Sequence, residues 1–178
     1  THHEVIAKTE FSTWEYIFDP EFMGPGRIWP KHLGKVFRGP WPTTKASTML
    51  SSMQDLIKTV REFRNRVSHH EPVWKRYGVS SETDAIAHLH EKIGKIRSLI
   101  SIISPEKELL IIKNGLLARA ERVCSINELR CCQHLIQIRN ITSISELCRA
   151  AQQATDDNVT QYITVDGRGD ERFRLQPM

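Results

Sequence analysis

Arg64, Asn65 and His69 fill a six-residue window, R-N-x-x-x-H, inside the run Val60-Arg61-Glu62-Phe63-Arg64-Asn65-Arg66-Val67-Ser68-His69-His70-Glu71-Pro72-Val73-Trp74. On a helix, Asn65 and His69 share a face one turn apart, and Arg64 flanks them by about 100°. An Arg presents a fixed fork to phosphate oxygens, and a His moves a proton near neutral pH. Together with an amide, they are equipment for handling a phosphodiester. Metal-free RNA cleavage fits best. His69 would act as acid or base on the ribose 2′-OH, and Arg64 would hold the phosphorane oxygens. Asn65 would orient the phosphate or the imidazole. The same three side chains could instead cap a helix C-terminus, where cations are stabilising, and form a polar plug.

Charge gathers around the window. Lys58, Arg61, Arg64, Arg66, Lys75 and Arg76 face only Glu62 and Glu71 over residues 58–76. Arg61, Arg66, His70, Lys75 and Arg76 are therefore candidate RNA-binding residues. A metal site is not expected: His69, His70 and Glu71 are adjacent and diverge on a helix, as do His88 and His90, and no H-E-x-x-H occurs. No cofactor motif is found, with neither a Walker loop nor a G-x-G-x-x-G. Ser68 directly precedes His69 but lacks any evident third member of a triad.

In Arg64, Asn65, His69 and the following His70-Glu71-Pro72, the chain resembles the HEPN superfamily, and within it the Abi-like branch of bacterial phage-defence proteins. The likeness covers roughly residues 1–125. It implies an all-α, antiparallel helical bundle and an endoribonuclease of an abortive-infection or toxin–antitoxin system. It also implies RNA as the substrate, a homodimer with one motif from each protomer, and an antitoxin, protein or RNA, as candidate regulator. A dimer would supply the second imidazole that acid–base cleavage wants. The alternative within the same resemblance is a non-catalytic RNA-binding or dimerisation module. Relatives with R-x(4)-H-x-Y undergo tyrosine adenylylation, but Glu71 stands at that position here. Abi-like relatives usually carry another helical segment upstream, so a preceding segment is expected.

Several elements must position the window. Ala7, Phe11, Trp14 and Phe18 predict a helix over residues 2–18 with one apolar face. Residues 19–43 hold five prolines and four glycines, yet also Phe22, Trp29, Phe37 and Trp41, and read as an ordered loop packed over the bundle. Trp29 and Trp41 either pack there or stack on bases. Residues 44–70 form the clearest helix, with Ala46, Met49, Met53, Leu56, Val60, Phe63 and Val67 in an unbroken 3-4 rhythm. A second seam, Ile86 to Ile103, follows a Ser81/Asp84 cap, giving a helix over 81–103. Ser104-Pro105-Glu106 opens a helix over 105–123 with Leu109, Ile112, Leu116 and Ala120 inward. Capping boxes at Ser125/Glu128 and Ser143/Glu146 predict helices to about Gln137 and Gln153. Residues 159–165 and 172–175 alternate as a small hairpin or a mobile arm. Two units are expected, a HEPN-like helical domain over 1–125 and C-terminal helices with a tail over 126–178.

With 178 residues, 39% apolar and 26% charged, the chain suits one soluble globular protein. A net charge of +4 permits a polyanionic partner without demanding one. No apolar run approaches the ~18 residues of a membrane span, and no signal-peptide core is found. Cys124, Cys131, Cys132 and Cys148 form no C-x-x-C, so the expectation is a cytoplasmic protein with reduced thiols.

Overall fold

The computed structural model describes residues 2–133, 135, 137–169 and 171–177, apart from the side chain of His2. Among these, the helices are α1 (His2–Lys8), α2 (Phe11–Tyr16), α3 (Leu33–Val36), α4 (Ala46–Ser68), α5 (Glu82–Ile103), α6 (Pro105–Lys113), α7 (Leu116–Val123), α8 (Ile126–Cys132) and α9 (Ile144–Asp156). The strands are β1 (Ile138–Ile141), β2 (Gln161–Val165) and β3 (Arg172–Leu175).

The antiparallel pair α4–α5 is the frame. Met49, Leu50, Met53 and Ile57 of α4 meet Leu99 and Ile102 of α5 in one buried cluster. Residues 19–43 lie over that cluster rather than in solvent. Trp29 is buried, stacked on Phe18 at 5.2 Å and on Phe37 at 6.1 Å between ring centroids. Its indole N–H donates to the Ile17 carbonyl at 2.7 Å, so the ring enters the core with its polar edge satisfied. Trp29 thus takes the packing role. At Gly39 the loop touches α5: its amide donates to the Ile102 carbonyl at 2.9 Å, and a Cβ there would collide with Ser101.

The α4 seam is kept at Met49, Met53, Leu56 and Val60 and widens beside them, whereas the α5 seam shifts. In α4, Leu50 and Ile57 are buried, while Phe63 is half-buried and Val67 is 51% exposed. In α5 Ile93 of the expected Ile86–Ile103 seam is buried, but the other deepest residues are His88, Leu99 and Ile102, outside it. α5 carries apolar residues most of the way round, so sequence periodicity leaves its facing direction open. Its N-terminus follows expectation, with a full capping box between Ser81 and Asp84. Two expected helices are broken. The first stops at Lys8, where the Thr9 hydroxyl donates back to the Val5 carbonyl and Glu10 turns extended to cap α2. The second breaks at Gly115, whose φ of 65° is left-handed. That break leaves Leu109, Ile112 and Leu116 open to solvent rather than inward.

The all-α expectation is overturned at the C-terminus. β1 pairs parallel with β2, Ile138 opposite Tyr162 and Ile141 opposite Val165, with α9 as the crossover. β3 returns antiparallel to β2, Phe173 opposite Ile163. The chain is a mixed α/β protein, mostly helical, with a three-stranded sheet of order β1-β2-β3. Residues 138–141 fall beyond α8, which stops at Cys132 rather than near Gln137. A four-residue strand carries too little period-2 pattern to declare itself, and a parallel partner some twenty residues away is invisible locally. Once paired, Ile141, Ala150 and Ile163 form a second buried cluster with Leu147, Val165 and Leu175 around it. Each buried Ile contributes about 1.5–3 kcal/mol.

Candidate active site

The window sits where α4 ends. His69 is the C-cap residue, and its amide donates to the Asn65 carbonyl at 2.9 Å. His70 follows with φ 55°, in the left-handed region. Its amide donates to the Val67 carbonyl at 3.1 Å, and the Glu71 amide donates to the Arg66 carbonyl at 2.8 Å. Those two bonds define a Schellman end, whose left-handed position usually holds Gly. A His there costs on the order of 1–2 kcal/mol. Pro72 then bars any continuation. The H-H-E-P run is therefore the sequence of the turn itself.

The basic residues divide into two groups. Arg66 braces the turn, donating to the Pro72 carbonyl at 2.6 Å and pairing with Glu71 at 3.4 Å. Arg61 donates to Glu15 of α2 at 2.6 Å, in a pair that is largely covered. Arg76 pairs with Glu91 of α5 at 3.3 Å. These three are held by carboxylates within the chain. Arg64 is different: it is exposed, its Nη1 donates to Asn65 Oδ1 at 3.2 Å, and no carboxylate pairs with it among the described residues. Lys75 lies over the Trp74 ring at 5.9 Å, also without a described ion pair. His69 and His70 are exposed, and Asn65 is half-buried. The structure thus brings Arg64, Asn65 and His69 to one solvent-facing helix end, and it diverts Arg61, Arg66 and Arg76 to internal pairs.

Two features near the window were not singled out from the sequence. His88 of α5 is buried, with Nδ1 lacking a hydrogen-bond partner and Glu91 at 3.8 Å. Burial holds its pKa below the ordinary value, helped by Lys92, Arg76 and Arg66, and Glu91 opposes them. The second feature is a cavity of about 610 Å³ where the connector after α4 meets the start of α5 and the α7–α8 corner. Trp74, Val79, Ile86, Leu89 and Leu129 give it apolar walls. An exposed Trp directly before Lys75-Arg76 was the signal available for it. His90, by contrast, serves the fold: its Nε2 donates to the Cys124 carbonyl at 2.6 Å, closing the end of α7.

Among the described residues no group of three or more His, Cys, Asp or Glu is placed to hold a metal ion, and no helix is long and apolar enough to cross a membrane. No family model matches the chain, and no curated protein or solved structure matches it significantly.

Proposed function

We propose that the chain is a metal-independent endoribonuclease of the HEPN type, working as a homodimer in the cytoplasm of a bacterial abortive-infection or toxin–antitoxin system. One observation carries the reading. Arg64 lies exposed at the end of α4, unpaired with any described carboxylate, on the same helix end as exposed His69. Its neighbours Arg61, Arg66 and Arg76 are all held by acids. A cation left without an internal carboxylate on the same helix end as an imidazole suits a phosphate ligand.

In the proposed reaction His69 removes the proton from a ribose 2′-OH. The 2′-oxygen attacks the adjacent phosphorus, and Arg64 donates to the oxygens that gain charge in the phosphorane. The P–O5′ bond then breaks as a second imidazole, His69 of the partner subunit, protonates the leaving oxygen. The uncovered end of the α4 seam supports a dimer here, since half-buried Phe63 and 51% exposed Val67 sit among the motif residues. An antitoxin, protein or RNA, would restrain the enzyme.

The second reading is non-catalytic RNA binding or dimerisation through the same surface. The Arg64–Asn65 hydrogen bond favours it, because it engages one guanidinium nitrogen internally. Incubating purified protein with single-stranded RNA in EDTA, while measuring its mass in solution, separates the two. Cleavage by a dimer supports the nuclease. Tight binding with no cleavage of any RNA tried supports the second reading.

A further inference from the structure

We infer that the cavity beside Trp74 receives one unstacked base of the RNA strand whose phosphate lies at Arg64 and His69. The inference rests on the nuclease reading for its ligand and on separate residues for its site. Position comes first. α4 and α5 run antiparallel, sharing Met53 and Leu99 in the core at one end, and at the other the connector between them is tied to α5 by Arg76 and Glu91. The start of α5, which walls the cavity, therefore lies at the motif end of α4. Trp74 stands five residues after His69, across the Schellman turn, and is 48% exposed.

The lining says what would fit. Val79, Ile86, Leu89 and Leu129 line the same cavity as Trp74 with apolar surface. The charged wall groups are already engaged, Glu82 by Arg130 at 2.6 Å and Glu128 by Arg174 at 2.9 Å, and the Ser125 hydroxyl accepts from the Glu128 amide at 3.3 Å. Carboxylates in the wall repel a phosphate, whereas their remaining lone pairs accept from the amino and imino edge of a base. Outside the lining the sign reverses: Lys75, the next residue after Trp74, lies over the Trp74 ring at 5.9 Å from its centre. A flat ring directed inward and a phosphate left outside meet both halves of this arrangement. Aromatic stacking of this kind is how single-stranded nucleic acid is held. The volume of about 610 Å³ also falls among ordinary small-ligand sites and leaves room for a nucleoside.

The test is a binding cycle. A short, labelled single-stranded RNA, 2′-O-methylated throughout so that it is bound and not cut, and intact or made abasic at each position in turn, is titrated against wild type and Trp74→Ala. Trp74→Ala on intact RNA, and one abasic position on wild type, should each weaken binding roughly tenfold to a hundredfold, and together should cost no more than either alone. Ala85→Phe, which fills the cavity from α5 and leaves Trp74 in place, should reproduce the loss on intact RNA and leave abasic RNA unaffected. Losses that multiply, or Trp74→Ala and Ala85→Phe proteins that bind as wild type does, overturn the inference. If wild type cleaves RNA and these variants bind and cleave equally well, the base site falls and the nuclease stands. If the cycle is coupled but no RNA is cleaved, the base site stands and the nuclease falls.

Discussion

The amide of Glu71 donates to the carbonyl of Arg66 at 2.8 Å, and the two side chains pair across the same turn at 3.4 Å. This double link ends α4 sharply and fixes where His69 and Arg64 face solvent. It also forces His70, between them, into left-handed backbone at φ 55°. Replacing His70 by Gly should therefore raise stability by about 1 kcal/mol, and His70→Ala should not. Urea midpoints of the three proteins check this, and a destabilised His70→Gly would mean that the imidazole holds the turn.

The arginines should separate by role. Arg64→Ala should leave melting unchanged, since Arg64 is exposed, and should abolish RNA cleavage. His69→Ala should do the same, with a rate loss of about 10²–10⁴. Arg61→Ala should lower the melting temperature, because it strands Glu15 in a largely covered position. Thermal melts beside cleavage assays decide the matter. Equal melting losses in all three would make the window a structural plug.

Packing predicts a gradient along α4. Met53 is fully buried, so Met53→Ala should cost about 2–5 kcal/mol. Phe63 is only half-buried, so Phe63→Ala in the monomer should cost distinctly less. Denaturant unfolding at low protein concentration measures both. A Phe63 cost that grows with protein concentration would place that ring in a dimer interface.

These contrasts mark what the sequence revealed. The α4 rhythm, the Ser81/Asp84 box and the end at Pro72 are local signals, and each appears where its residues stand. Arg64, Asn65 and His69 were legible as a group because one helix carries them. The fate of the other basic residues was not, because Glu15 and Glu91 reach Arg61 and Arg76 from other helices. β1 escaped notice because four residues gain strand character only from β2, and the two halves of the 105–123 segment separated at a single left-handed glycine.

His88 gives stability a pH dependence. Burial lowers its pKa from the ordinary 6.5, so the unfolded chain binds that proton more readily than the folded one. Stability should be complete above about pH 6.5 and fall as pH drops through that value. Glu91, Lys92, Arg76 and Arg66 surround the ring and should modulate the slope. The carboxylates Asp84, Glu106, Glu108 and Glu146, whose pKa values are also lowered, should act only in more acidic solution. Urea midpoints taken from pH 7.5 to 5 should decline for wild type and stay flat for His88→Gln. Parallel declines would assign the effect elsewhere.

The most direct test of the nuclease proposal is the chemistry of the cut. Purified protein in EDTA should cleave single-stranded RNA, leaving a 2′,3′-cyclic phosphate and a free 5′-hydroxyl. A single 2′-deoxyribose at the scissile position should stop cleavage there while binding persists and weakens with salt. Cleavage of the deoxy substrate, or activity lost in EDTA and restored by a divalent ion, would contradict the mechanism.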